Sequence, residues 1–439
     1  MRKKSGQKDV LRRLKLHWQI LIGIVLACVA GTFTDADTSL LGITFHQVYD
    51  FIGTLFLNAL KMIIVPLIMS SIITGISGVG NKGALGRLGM KTILYYSVTS
   101  LFAILVGLAL VNAFAPGIID GHPAGQRLGL ADNTQIKLEE IENRGGGDIA
   151  KIFLRMVPTN IVAAAADGQM LGLIFFSLLF GFFMTRIHSD LSESLNRLWT
   201  GIFETMMHIT LWVLRFAPFG VFGLVARTVS KTGFDGFLPL LSFFLTVLLG
   251  LAIHSLITLP SLLYFVGHVN PWRHIREVSP AILMGFSTAS SSATLPLTLK
   301  CVQDNSNVSN RTSSFVLPLG ATVNMDGTAL YECVAAMFLA QAYGLELGIG
   351  LQFTVVLVAL LSSIGVAGIP AASLVAISII LGAIGLPIEG IGMILITDRV
   401  LDMCRTSVNI FSDSCGAVII ANTEKEIGVL ARKIEDPQG

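Results

Sequence analysis

Long apolar stretches alternate with short polar ones along the chain. Trp18–Phe33, Val48–Gly78, Thr92–Phe114, Val162–Thr185, Leu198–Ala226, Leu238–Gly267, Ser314–Ala342 and Gly390–Ala421 approach or exceed the ~20 apolar residues of a membrane-crossing helix. They predict an all-α polytopic membrane protein with about eight transmembrane helices. Two further stretches, Ile282–Leu299 and Leu351–Leu386, are broken too often by Ser, Gly and Pro to cross as one regular helix. The first runs Phe286-Ser-Thr-Ala-Ser290-Ser291-Ser292-Ala-Thr294-Leu-Pro296, and the second Ser362-Ser363-Ile364-Gly365-Val366-Ala-Gly368-Ile369-Pro370. Each reads as a re-entrant helix–turn–helix whose small-residue tip enters the protein and returns to its own side. Non-helical backbone is tolerated at membrane depth only inside protein or along a cavity. The N-termini of the half-helices would offer free N–H groups to an anion.

Composition narrows the classes. Hydrophobic residues make up 53% and charged residues 13%, about half of the ~25% usual in a soluble domain. Mean hydropathy is +0.74. Too few charges remain to build a polar skin, which excludes a soluble globular protein, a disordered chain and a nucleic-acid binder. The 44 glycines and 14 prolines suit helices that are broken in places. The five cysteines show neither metal-ligand spacing nor a disulfide framework.

Net charge is only +2, so the placement of charge matters more than its sum. Arg2, Lys3, Lys4, Lys8, Arg12, Arg13 and Lys15 precede the first apolar stretch. With more spans following at once, that stretch reads as a membrane helix with a cytoplasmic basic end rather than a cleaved signal. Asn81–Lys91, Gly267–Arg276 and the C-terminal tail all carry Lys or Arg. Eight spans put them on the same inner side and put Gly117–Asp148 outside. The expectation is an integral protein of the plasma (inner) membrane with both termini cytoplasmic. Gly78-x-Gly80-x-x-Gly83 follows a membrane helix rather than a strand, so it is not read as a nucleotide fingerprint.

The chemistry gathers in the last third. Asp398, Asp402, Arg405, Asn409 and Asp413 follow i, i+4, i+7, i+11, i+15 and share one face of the final span. Charge inside a span is a functional hypothesis by default. Three acids against one Arg leave an excess that invites cations; a structural ion-pair network is the other reading. The preceding span is broken by Asn324-Met325-Asp326-Gly327-Thr328, which would unwind the helix and aim carbonyl oxygens inward, as hard cations require. Glu332 follows as another buried acid, for which a protonated, hydrogen-bonded carboxyl with no transport role is the other reading. A hairpin followed by a polar span thus occurs twice, entering from opposite sides: an inverted repeat around a midplane site, the mark of a secondary transporter. Gly/Ser helix packing explains the small residues but not this order. An ion channel explains the polar spans but not the Arg/Asp pairing. An intramembrane serine protease would need a base partnered to Ser287, and His254 alone does not supply one, so no enzyme is expected.

At these motifs the sequence resembles the glutamate transporter family, the dicarboxylate/amino acid:cation symporters. The resemblance extends from the first span to Asn422-Thr-Glu424 and rests on the serine-rich tip, Asn-Met-Asp-Gly-Thr, the Gly-x-Ala-Gly-Ile-Pro tip and Asp-x-x-Arg-Thr-x-x-Asn-x-x-x-Asp. It implies a homotrimer in the lipid bilayer with an elevator fold. The scaffold would be 18–83 and 148–230. The transport domain would be 84–116 and 231–424, with hairpins at about 277–300 and 350–386. Segments 1–17, 117–147 and 425–439 would be terminal or loop.

Residue by residue, the resemblance implies that Arg405 and Thr328 hold the substrate's side-chain carboxylate and Asp402 its α-ammonium. Asn409 and Ser290, Ser291 and Ser292 would take the α-carboxylate, with backbone of Ile369 nearby. One sodium would use Asp413 with carbonyls of Gly320, Asn324 and Asn409. A second would use carbonyls of Thr322, Ser363, Ile364 and Val366. A third would use Asp326 and Asn324 with Tyr96, Thr99 and Ser100. Arg405 favours glutamate or aspartate over neutral amino acids; a C4-dicarboxylate or neutral amino acid symporter of the same family is the alternative. Relatives' second arginine falls here on Ala289 or Met403, and Arg399 has no role to carry over. Glu332 implies coupling to protons, with potassium return as a further hypothesis.

Overall fold

A computed structural model describes residues 16–34, 38–40, 42–80, 87–125, 127–128, 130, 154, 157–166, 169–232, 237–345, 348–365, 372–387 and 390–430. It is almost wholly helical. The helices are α1 (Leu16–Phe33), α2 (Phe45–Gly80), α3 (Arg87–Phe114), α4 (Ile161–Ala166), α5 (Met170–Met184), α6 (Ser189–Leu214), α7 (Ala217–Thr232) and α8 (Phe237–Ile253). Then come α9 (Leu259–Phe265), α10 (Pro271–Thr288), α11 (Ser291–Lys300), α12 (Asn310–Val323), α13 (Asp326–Ala342), α14 (Ile349–Gly365), α15 (Ala372–Ile384) and α16 (Ile391–Thr423). Two two-residue hairpins, Ser39–Leu40 with Ile43–Thr44 and Ile118–Ile119 with His122–Pro123, are the strands among the described residues.

Among the described residues, Arg87–Phe114 and the continuous run Phe237–Phe265 are each long and apolar enough to cross a membrane. The second contains a π-helical turn, His254–Thr258, just before Pro260, whose missing N–H interrupts the α ladder. Leu238, Leu241, Leu245 and Leu249 form an exposed apolar row on α8, a surface suited to lipid and unfavourable in water.

Three boundaries differ from the sequence expectation. Leu198–Ala226 is not one straight span: α6 and α7 meet at a 53° bend. Pro218 sits in the first turn of α7, where its missing N–H costs the helix nothing, whereas a single helix through it would leave the Leu214 carbonyl without its i+4 partner. Val162–Thr185 divides into α4 and α5. Gly267–Arg276 is not wholly a loop, because α10 begins at Pro271. Asn270 caps it by accepting from the N–H groups of Trp272 and Arg273, at 3.0 and 3.3 Å.

The helices pack in two groups. In the first, α7 lies against α1 and α2, and α2 against α5 and α6. Contact there is close: a Cβ added to Gly220 of α7 would collide with the ring of Phe56 on α2. In the second, α16 runs through the middle, against α8, α10, α12 and α13, while α13 also packs on α3 and α14. Contacts between the groups are sparser, chiefly α7 with α16 and α14–α15 with α2 and α5. Thr228 of α7 and Met393 of α16 meet at 3.4 Å.

Candidate functional site

Two broken elements and one continuous helix make the site. The first break is the α10–α11 turn. Ala289 adopts a left-handed conformation (φ 49°, ψ 41°), and its N–H donates to Gly285 O at 2.8 Å. Extended Ser290 then caps α11, its hydroxyl accepting from Ala293 N at 3.3 Å. Ser291 is buried, Ser290 half-buried and Ser292 exposed. The second break separates α12 from α13. Asn324 (φ −96°, ψ 101°) and Met325 (φ −128°, ψ 56°) are not helical, and the helix restarts at Asp326. The cap for α13 comes from another helix: Gly327 N donates to Asn409 Oδ1 at 2.8 Å, and Asn409 Nδ2 donates to Thr328 at 3.2 Å.

One turn away on α16 lies the buried Arg405. It donates to Asp398 Oδ1 from Nη1 and Nη2 (3.0 and 3.1 Å) and to Asp402 Oδ1 from Nη2 (2.9 Å). Its guanidinium carbon lies 3.9 Å from the ring centre of Tyr331 on α13. Asp402 also faces Arg399 at 3.5 Å. The expected surplus of acid on this face is therefore not found at Asp398 and Asp402, which Arg405 and Arg399 balance.

Further along lies a second, oxygen-rich cluster. Asp326 accepts from Ser100 (2.7 Å) and Ser412 (2.6 Å), and lies 3.2 Å from His254 Nε2. Asn324 donates to Asp413 (2.8 Å) and Ser412 (3.0 Å), and its own Oδ1 is buried without a hydrogen bond among the described residues. Gly320 is needed here, because a Cβ would fall against Asp413 Oδ1 and the Tyr96 hydroxyl. Carboxylates, amide oxygen, hydroxyls and a helix end are the oxygen donors that hard cations take.

The sequence-expected residues are thus partly assembled. Ser100, Asn324, Asp326 and Asp413 come together, as do Thr328, Asn409, Asp402 and Arg405. Tyr96 gives its hydroxyl to Val316 O at 2.8 Å, and Thr99 bonds within its own helix, so neither hydrogen-bonds Asp326. Thr322 is exposed and bonds Pro318 O and Leu319 O. Glu332 is fully buried and accepts from Ser362 at 2.9 Å, while its other oxygen has no hydrogen bond among the described residues. Val366 and Ile369 lie outside the described residues. So do the side chains of Ser363 and Ile364, whose backbone ends α14.

Sequence reasoning gave no site role to His254, Ser412 or Tyr331. A histidine within an apolar span was the available signal for the first. Ser412 and Tyr331 acquire significance only from cross-helix packing.

The model of the sodium:dicarboxylate symporter family matches residues 16–423. The chain is 36% identical over 414 residues to the proton/glutamate-aspartate symporter of Escherichia coli (strain K12), covering 94% of this chain and 93% of that protein. It is 34% identical over 419 residues to the proton/sodium-glutamate symport protein of Geobacillus stearothermophilus, covering 94% and 96%. It is 34% identical over 465 residues to excitatory amino acid transporter 3 of Mus musculus, covering 96% and 88%. The chain therefore belongs to the sodium:dicarboxylate symporter family.

Proposed function

We propose that the protein is a secondary active symporter importing L-glutamate or L-aspartate on sodium and proton gradients. The observation that carries this reading is the buried Arg405, forked onto two carboxylates and lying next to the oxygen-rich cluster of Asp326 and Asp413. A guanidinium matches a planar carboxylate. In the substrate-bound state the side-chain carboxylate would take the place of Asp398 or Asp402 on Arg405, with Thr328 beside it. Asp402 would receive the α-ammonium. Asn409 and the Ser290–Ser292 turn, with Ile369 backbone, would hold the α-carboxylate. That ammonium contact favours an amino acid over a C4-dicarboxylate.

Sodium is the co-transported cargo. The three sets of oxygens would be Asp413 with carbonyls of Gly320, Asn324 and Asn409; carbonyls of Thr322, Ser363, Ile364 and Val366; and Asp326 and Asn324 with Ser100, Tyr96 and Thr99. Cation binding at Asp326 and Asp413 removes their repulsion of an anionic substrate, so sodium and substrate bind cooperatively and reciprocally. Glu332 is the proton carrier in this reading, with potassium return a further expectation.

The architecture that serves it has eight spans, two re-entrant hairpins (α10–α11 and α14–α15), inverted repeats, and cytoplasmic termini. Three protomers associate, and in each the second packing group moves across the membrane against the first. The test is uptake of labelled aspartate and glutamate into proteoliposomes with sodium, proton and potassium gradients set independently. Uptake of either acid that requires inward sodium is the expected result. Uptake indifferent to every cation gradient, or single-channel currents without saturable uptake, would overturn the proposal.

A further inference from the structure

Asp402, to which the proposed function gives the substrate's ammonium, already has a guanidinium at each oxygen. Its Oδ1 accepts from Arg405 Nη2 at 2.9 Å, and its Oδ2 faces Arg399 Nη1 at 3.5 Å. Arg399 sits three residues earlier on α16 with a side chain only 19% exposed. Its Nε is buried with no hydrogen bond among the described residues, so the head group is held at Asp402 without being fully satisfied there. Asp398 and Asp402 against Arg399 and Arg405 leave this cluster neutral. A ligand entering it must exchange ion pairs rather than fill an open charge.

We propose that Arg399 is a specificity-determining residue whose guanidinium competes with the substrate's α-ammonium for Oδ2 of Asp402. The inference rests on the proposed acidic amino acid substrate. An amino acid replaces one cation on Asp402 with another and must displace Arg399 to do so. A C4-dicarboxylate without an amine leaves Arg399 in place and escapes that cost. Arg399 therefore narrows the preference for aspartate over succinate, and its removal widens it. Arg399 acts through Asp402 rather than on the substrate, so the two ligands respond unequally. A second arginine gripping a carboxylate would weaken both alike.

The experiment compares wild type with Arg399→Gln, Arg399→Met and Arg399→Lys in proteoliposomes. Unlabelled aspartate and succinate are each titrated as competitors of labelled aspartate uptake. Ligand-induced thermal shifts in detergent give the same ratio from binding alone, so a variant that folds but does not transport still reports. The ratio of succinate to aspartate inhibition constants should rise by up to about fivefold in the Gln and Met variants, the upper end of what a partly exposed ion pair carries. It should stay within about twofold of wild type in the Lys variant, whose ammonium still reaches Asp402. An unchanged ratio in the Gln and Met variants, an equal weakening of both ligands, or a shift toward succinate would overturn the role of Arg399. Wild type that takes up neither aspartate nor glutamate would instead overturn the substrate reading, and this inference with it.

Discussion

Arg405 is the residue on which most depends. It is buried, stacked on Tyr331 and bonded to two acids, so deletion of its charge strips Asp398 of its ion-pair partner and leaves Asp402 with Arg399 alone, at 3.5 Å. Breaking a buried pair from one side costs about 3–5 kcal/mol, so Arg405→Ala should lower aspartate uptake by at least about a hundredfold at matched expression. Arg405→Lys should restore little of it, because a point charge cannot serve the fork. Glu332 supplies a second prediction. It is fully buried and bonded through one oxygen to Ser362, a setting that suits a group that gains and loses a proton, so Glu332→Gln should make uptake insensitive to an imposed pH gradient while sodium dependence persists. Unaltered pH dependence in that variant would remove Glu332 from the coupling. The acids and the arginine were legible in the sequence because their spacing on one helix is a one-dimensional signal. Their balance was not. Arg399 stands three residues before Asp402, a helical spacing the sequence displays, but the sequence alone does not say that its guanidinium turns to that carboxylate.

The working elements are helices that stop early. Asn-Met-Asp-Gly-Thr announced one break, and the structure narrows it to Asn324 and Met325, with Asn409 closing the exposed N–H of Gly327. The serine-rich turn was equally plain, but its left-handed residue is Ala289, which carries no turn signature of its own. The α6–α7 bend was hidden inside a stretch that reads as one span, although Arg215 and Pro218 stood in it as markers. Close approach at the second break gives an element-level prediction. Gly320 on α12 lets Asp413 and the Tyr96 hydroxyl close on the helix, and a methyl group there must push at least one of them away. Overpacking of this kind costs about 1–3 kcal/mol, so Gly320→Ala should raise the sodium concentration for half-maximal uptake about tenfold. Substrate affinity at saturating sodium should change far less. A variant with wild-type sodium dependence would separate Asp413 from the cation.

For the whole molecule, the question is which parts move together. The stretch after α16 ties ends of the second packing group to one another. Glu424 pairs with Arg87 and Lys91, Glu426 accepts from Ser309 and Thr312, and Leu430 N donates to Ser306 O. Hydrogen bonds from Arg87 and Lys91 hold the Glu424 carboxyl down at about 2, from an ordinary 4.5. A depressed acid stabilises the fold above its unfolded value and loses that contribution as pH falls through its folded one. Thermal stability in detergent should therefore drop between about pH 4.5 and 2, less steeply in Glu424→Gln. None of these ties reaches the first group, and no pattern in the sequence could show that, because the partners are separated by more than a hundred residues. The division itself can be tested at Thr228 and Met393, whose side chains touch across it. If the second group travels against the first, Thr228→Cys with Met393→Cys, made without the native cysteines, should lose uptake when bridged by mercuric ion and regain it with a thiol. Bridging His46→Cys to Ser230→Cys, a contact within the first group at 3.3 Å, should leave uptake intact. Uptake that survives the Thr228–Met393 bridge would mean that the two groups carry substrate without sliding past each other.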